Sequence, residues 1–87
     1  MTLPTIHLGG SSGRLLFAEY LRTLDAAREA REAMGRIDFN ARDYYVQGAG
    51  AWEKAMEERY AQMAGLDALI EYLEKHLIHI DEQISNR

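Results

Sequence analysis

The apolar positions in the last third of the chain fall in a heptad rhythm. Met63, Leu66, Ile70, Leu73, Leu77, Ile80 and Ile84 follow one another at alternating steps of 3 and 4 residues. This spacing draws a narrow apolar stripe along one side of a helix, of the kind that packs on another helix. Trp52, Met56, Tyr60 and Met63 lead into it, so the pattern predicts one long helix over 51–85. Gly65 interrupts that helix at about 1 kcal/mol relative to Ala, a cost that a close helix crossing or a slight bend would explain.

A second helix is predicted over 12–36. Its inward face reads Phe17, Tyr20, Leu21, Leu24, Ala27, Ala30 and Met34, thinning from bulky residues to alanine. Ser11 or Ser12 supplies the N-cap, since a serine oxygen accepts from a free first-turn amide. Gly35 is the expected stop. Glu32 and Arg36 stand one turn apart as a surface pair.

The segment 37–50 breaks the helical pattern, with Asn40, Gly48 and Gly50 as turn or cap residues. Its Ile37, Phe39, Tyr44, Tyr45 and Val46 are too apolar for a free linker, so it is expected to pack down. Residues 1–11 hold the only proline and a Gly pair and read as an arm.

The expected fold is therefore all-α, one domain over 1–87. It is an antiparallel two-helix hairpin with the Ala-rich end of the first helix facing the bulky start of the second, small against large. A chain of 87 residues buries a limited core. It has no cysteine, so disulfides and thiolate metal sites are excluded and oligomerisation is the favoured support. The expectation is a dimer forming a four-helix bundle, with Met56, Met63, Leu66, Ile70, Leu73, Leu77, Ile80 and Ile84 as the self-association seam.

Charge narrows the partners. The net charge of −4 comes from the second half, where Lys54, Arg59, Lys75 and Arg87 meet eight acids. An acidic long helix argues against nucleic acid as ligand, because phosphate neutralisation needs clustered Lys or Arg. No apolar run reaches the roughly 20 residues of a membrane span. No basic segment precedes an apolar one at the start, so no signal peptide is expected.

Four groups of residues are candidates for chemistry or recognition. His76, His79 and Glu82 follow at three-residue steps, but such steps spread over about 120° of a helix. The Glu-x-x-His pairs of a di-metal bundle are absent. A solvated face is the expectation, with no metal and no cofactor. Glu53, Asp67, Glu74 and Asp81 form an edge row beside the seam; it reads either as a selector of a partner helix bearing Arg, with Arg14, Arg22, Arg28 and Arg31 on the first helix as candidates, or as an ordinary wet surface. Arg42, Asp43, Tyr44, Tyr45 and Gln47 form the densest polar-aromatic cluster. It reads either as a recognition surface, since Tyr and Arg suit binding hot spots, or as a structured loop in which Asp43 caps or holds Arg42 and the tyrosines plug the bundle end. His7, beside Gly9 and Gly10, has none of the Gly-rich patterns that cradle phosphate. No nucleophile stands next to a base, and the chain is read as non-enzymatic.

Two stretches carry a family resemblance. Ile6-His7-Leu8-Gly9-Gly10-Ser11-Ser12 resembles an arm reading Ile-His-Leu-Asn-Gly-Thr-Ser. Asn40-Ala41-Arg42-Asp43-Tyr44-Tyr45-Val46-Gln47-Gly48 resembles a loop reading roughly Asn-Gly-Arg-Asp-Tyr-Tyr-Pro-Gln-Gly. Both belong to a family of small proteins of tailed bacteriophages and prophages, in which an aromatic residue, here Trp52, opens the second helix. Gly9 stands where that family has Asn, which removes a side-chain cap, and Val46 where it has Pro, which removes a rigid turn. The resemblance implies a phage or prophage origin, a place in the bacterial cytoplasm or with the virion, and nothing catalytic.

The function expected from these readings is protein–protein interaction as an assembly, adaptor or minor structural factor. His7, Arg42, Asp43, Tyr44, Tyr45 and Gln47 are the candidate contacts to a phage or host protein. The alternatives are a small acidic regulator or inhibitor that binds a host protein, and a metal-dependent enzyme built on His76, His79 and Glu82 across a dimer.

Overall fold

A computed structural model describes residues 1–86. Two long α-helices, α1 (Gly13–Arg36) and α2 (Ala51–Ser85), pack against each other as an antiparallel hairpin, and no strand occurs among the described residues. With 24 and 35 residues, the helices are about 36 and 52 Å long. The hairpin is a rod of 61 × 22 × 18 Å.

The seam of α2 packs on α1 of the same chain. Leu73 is buried in one cluster with Leu24 and Ala27, and Tyr20, Ile70 and Leu77 close around it. Ile80 is wholly buried. At the open end, Gly13 lies so close to Ile84 that a Cβ there would sit 3.0 Å from Ile84 Cγ1. The stripe expected to carry self-association is thus spent inside the hairpin at Leu73 and Ile80, because the nearest helix is the chain's own.

The phase of the inward faces differs from the sequence expectation in three places. On α1, Leu21 is 38% exposed and Ala30 is exposed, while Arg31 is half-buried in the place expected for Ala30. The buried face keeps a seven-residue rhythm through Leu24, Ala27, Arg31 and Met34. On α2, Met56 is 39% and Tyr60 79% exposed, and Ala55 and Arg59 are turned inward instead. Gly35 does not stop α1, which runs on to Arg36 and ends where Ile37 becomes extended.

The N-cap of α1 is Ser12, whose Oγ accepts from the Leu15 amide at 3.4 Å. Glu32 and Arg36 approach to 3.9 Å on the surface. α2 starts from Gly50 at φ 84°, after Gly48 at φ 106°. Both lie in the left-handed region where a side chain would be strained, so these glycines make the reversal into α2 possible.

Candidate interaction surfaces

Three surfaces of the rod place the residues singled out from the sequence. The first is the loop end. α2 begins well before the point where it meets the end of α1, and the loop folds back to cover that overhang. Asn40 Oδ1 accepts from the Arg42 amide at 3.0 Å and caps a single 3-10 turn, Ala41–Asp43; a second, Tyr45–Gln47, follows. This brings Phe39, Tyr44 and Trp52 together, with ring centroids 4.7 Å apart for Phe39–Trp52 and 5.6 Å for Tyr44–Trp52. Arg42 is held by Asp38, at 2.6 Å, rather than by Asp43. The loop cluster therefore splits. Tyr44 is part of the plug, whereas Asp43, Tyr45 and Gln47 face solvent, Tyr45 at 70% exposure.

Arg59 ties this plug to α1. Its guanidinium lies 4.9 Å from the centre of the Phe39 ring and donates to the Met34 carbonyl at 2.8 Å. That carbonyl is in the last turn of α1, where intrahelical donors run out and positive charge is favoured. Arg59 is not among the residues that the apolar pattern singles out. Its signal was position: it stands seven residues from both Trp52 and Leu66, in the seam column itself.

The second surface is the arm. The Gln83 side-chain amide brackets it, accepting from the Ile6 amide at 2.8 Å and donating to the Pro4 carbonyl at 3.0 Å. Beyond this clasp the chain turns: His7 Nδ1 accepts from the Gly9 amide, and the Gly10 amide donates to the His7 carbonyl. His7 is exposed, and Leu8 at the tip is fully so. Leu8 is thus an exposed leucine on a tethered turn, which the sequence pattern does not single out. Gln83→Ala removes both clasp bonds. Amide exchange at Ile6 is expected to rise at least tenfold while the melting temperature of the helices changes by only a few degrees; unchanged exchange at Ile6 would show that the clasp does not hold the arm.

The third surface is the pair of flanks along the rod. On one flank two of the four acids of the edge row, Asp67 and Glu74, meet arginines of the first helix within the chain. Arg28 reaches Glu74 at 3.3 Å, and Arg31 donates twice to Asp67, the longer bond being 3.4 Å. The Arg31 bond, and then its charge, hold the Asp67 carboxyl below the usual carboxylate range, and Asp67 raises Arg31 in turn. Lys75 lowers Glu71 in the same way along α2.

A carboxylate whose folded pKa lies below its unfolded value stabilises the fold at neutral pH and loses that contribution as pH falls through the folded pKa. The melting temperature is therefore expected to drop on acidification below about pH 4, and Asp67→Asn to shrink that drop. An identical acid limb in the variant would disprove the role of the pair.

On the opposite flank His76 is buried, contrary to the expected solvated face. Its ring stacks on Tyr20 at 5.1 Å and 10° between planes, and meets Tyr72 at 4.1 Å. Its Nδ1 lies 2.8 Å from the Tyr72 carbonyl. A carbonyl only accepts, so Nδ1 carries the proton. Burial, and then Tyr72, raise the pKa of Tyr20. His79 is half-buried and Glu82 exposed. Among the described residues no three His, Asp or Glu side chains gather as a metal site requires, and no helix is long and apolar enough to cross a membrane.

No protein-family model, no curated protein and no solved structure matches the chain.

Proposed function

We propose that this chain is a non-enzymatic, self-associating helical hairpin that serves as an assembly, adaptor or minor structural factor in a phage or prophage programme. The observation that carries the reading is the poor closure of the single chain. Its radius of gyration is 18.8 Å, against about 12 Å for a compact chain of this length. Its accessible surface is 6490 Å², against roughly 5,200 Å² for a compact monomer of the same mass. The core is small to match: the buried apolar side chains are Leu24, Ala27, Leu73 and Ile80. Leu15, Leu21, Leu69, Tyr72 and Ile78 stay at least a third exposed. A small fold left in this state gains most from a second copy.

The resemblance of the arm and loop supports the phage assignment. Leu8 and Tyr45, at opposite ends of the rod, are the contacts offered to a further phage or host protein. Two of the eight acids on which the acidic-regulator alternative draws, Asp67 and Glu74, are already paired with Arg31 and Arg28.

Light scattering across a dilution series tests the reading. A mass of about twice 9.9 kDa that holds on dilution supports it. A mass of 9.9 kDa at every concentration overturns it.

A further inference from the structure

We infer that the second copy docks on the flank opposite the ion pairs, through a second heptad seam that both helices carry beside the one used inside the hairpin. The inference rests on the self-association reading and assigns it a face.

The Arg28–Glu74 and Arg31–Asp67 pairs mark one flank of the hairpin. In an antiparallel helix pair the flanking positions of like heptad letter face each other, so the other flank is defined on both helices. The Tyr20–His76 stack lies on it. On α1 this flank runs Thr23, Ala26, Ala30, Ala33, all exposed, in steps of 3, 4 and 3. On α2 it runs Gln62, Gly65, Leu69, Tyr72, also in steps of 3, 4 and 3, with Leu69 and Tyr72 each 43% exposed. Neither run contains a charged residue. A helix with two adjoining seams contacts two neighbours, which is the demand a four-helix bundle places on each of its members.

Gly65 leaves open space for a neighbour on this flank. It lies inside α2 with no positive φ, and a Cβ built there meets nothing within 4 Å. Nothing in the chain itself needs a glycine at this place, yet the helix bears its cost. A helix from outside approaching closely along this flank supplies the need.

The occupant is a second copy because the flank is its own complement. α1 presents small residues and α2 presents Leu69 and Tyr72. A two-fold axis lays each α2 on the partner's α1, so large residues enter the row of alanines twice. The surface leaves room for it: two chains together carry roughly 2,600 Å² more surface than two compact monomers of this mass, on the order of what a homodimer buries.

The test compares charge substitutions on the two flanks by sedimentation equilibrium, with circular dichroism to check helicity. Ala30→Glu and Leu69→Glu are expected to weaken the dimer at least tenfold with helicity retained; Leu21→Glu and Ile78→Glu, on or beside the ion-paired flank, are expected to leave it intact. Gly65→Ala is the second arm. It improves helix propensity, so it is expected to raise the helicity of the dilute monomer while weakening the dimer at least tenfold. A wild type that is monomeric throughout overturns the self-association reading and this one together. A wild-type dimer that Ala30→Glu, Leu69→Glu and Gly65→Ala leave equally tight overturns the face alone, as does dissociation by Leu21→Glu or Ile78→Glu instead.

Discussion

Leu73→Asp is expected to unfold the hairpin outright. Leu73 is 4% exposed and shares its cluster with Leu24 and Ala27. Removing a buried leucine costs about 2–5 kcal/mol. The carboxylate adds the cost of losing its water, or of taking up a proton to become neutral. The whole stability of a chain this size is only about 5 kcal/mol, so the variant should lose most of its 222 nm ellipticity at 25 °C. Raising the concentration should not restore it, because the face that Leu73 packs on belongs to its own chain. Recovery of helicity at high concentration would show that Leu73 works between chains instead. A wild-type melting temperature would remove it from the core.

How far the sequence carried the fold depended on how strongly each residue signals its face. The second half of α2 is legible because Leu and Ile repeat there and no charge falls in the seam column. The end of α1 is not, because alanine packs equally well in or out. Extending the face by Ala30 or by Arg31 is then a choice of phase that only the position of α2 decides; with Asp67 opposite, Arg31 takes it.

The same limit hid Arg59. Met56 and Tyr60 are more apolar and adjoin the seam, but the carbonyls at the end of α1 and the ring of Phe39 select a guanidinium. His76 was misplaced because its burial comes from two tyrosines, one on each helix. Local spacing places Tyr72 beside it; only the register between the helices places Tyr20 there. That the loop packs down was readable from its aromatic content. That Asp38 rather than Asp43 holds Arg42 was not, because the 3-10 turn capped by Asn40 sets which carboxylate the arginine meets.

Trp52→Ala and Tyr45→Ala are expected to separate by about 10 °C or more in melting temperature, although both remove an aromatic from the same end of the rod. Trp52 is half-buried between Phe39 and Tyr44. A buried aromatic cut to alanine costs about 3–5 kcal/mol, and partial exposure brings the figure here to about 2–3 kcal/mol. At roughly 4–8 °C per kcal/mol for a domain of this size, the melting temperature should fall by about 10–20 °C. Tyr45 is 70% exposed, and surface substitutions of this kind stay within about 0.5 kcal/mol. The loss at Trp52 should also travel. Phe39 packs on Trp52 and lies against the Arg59 guanidinium, and Arg59 holds the Met34 carbonyl. With Phe39 loosened, amide exchange in the last turn of α1 should quicken, while the turns around Leu24 keep their protection. Equal melting temperatures for the two variants would mean that the plug does not hold the hairpin closed, and that Tyr44 belongs with Tyr45 as a residue kept for contact with something else.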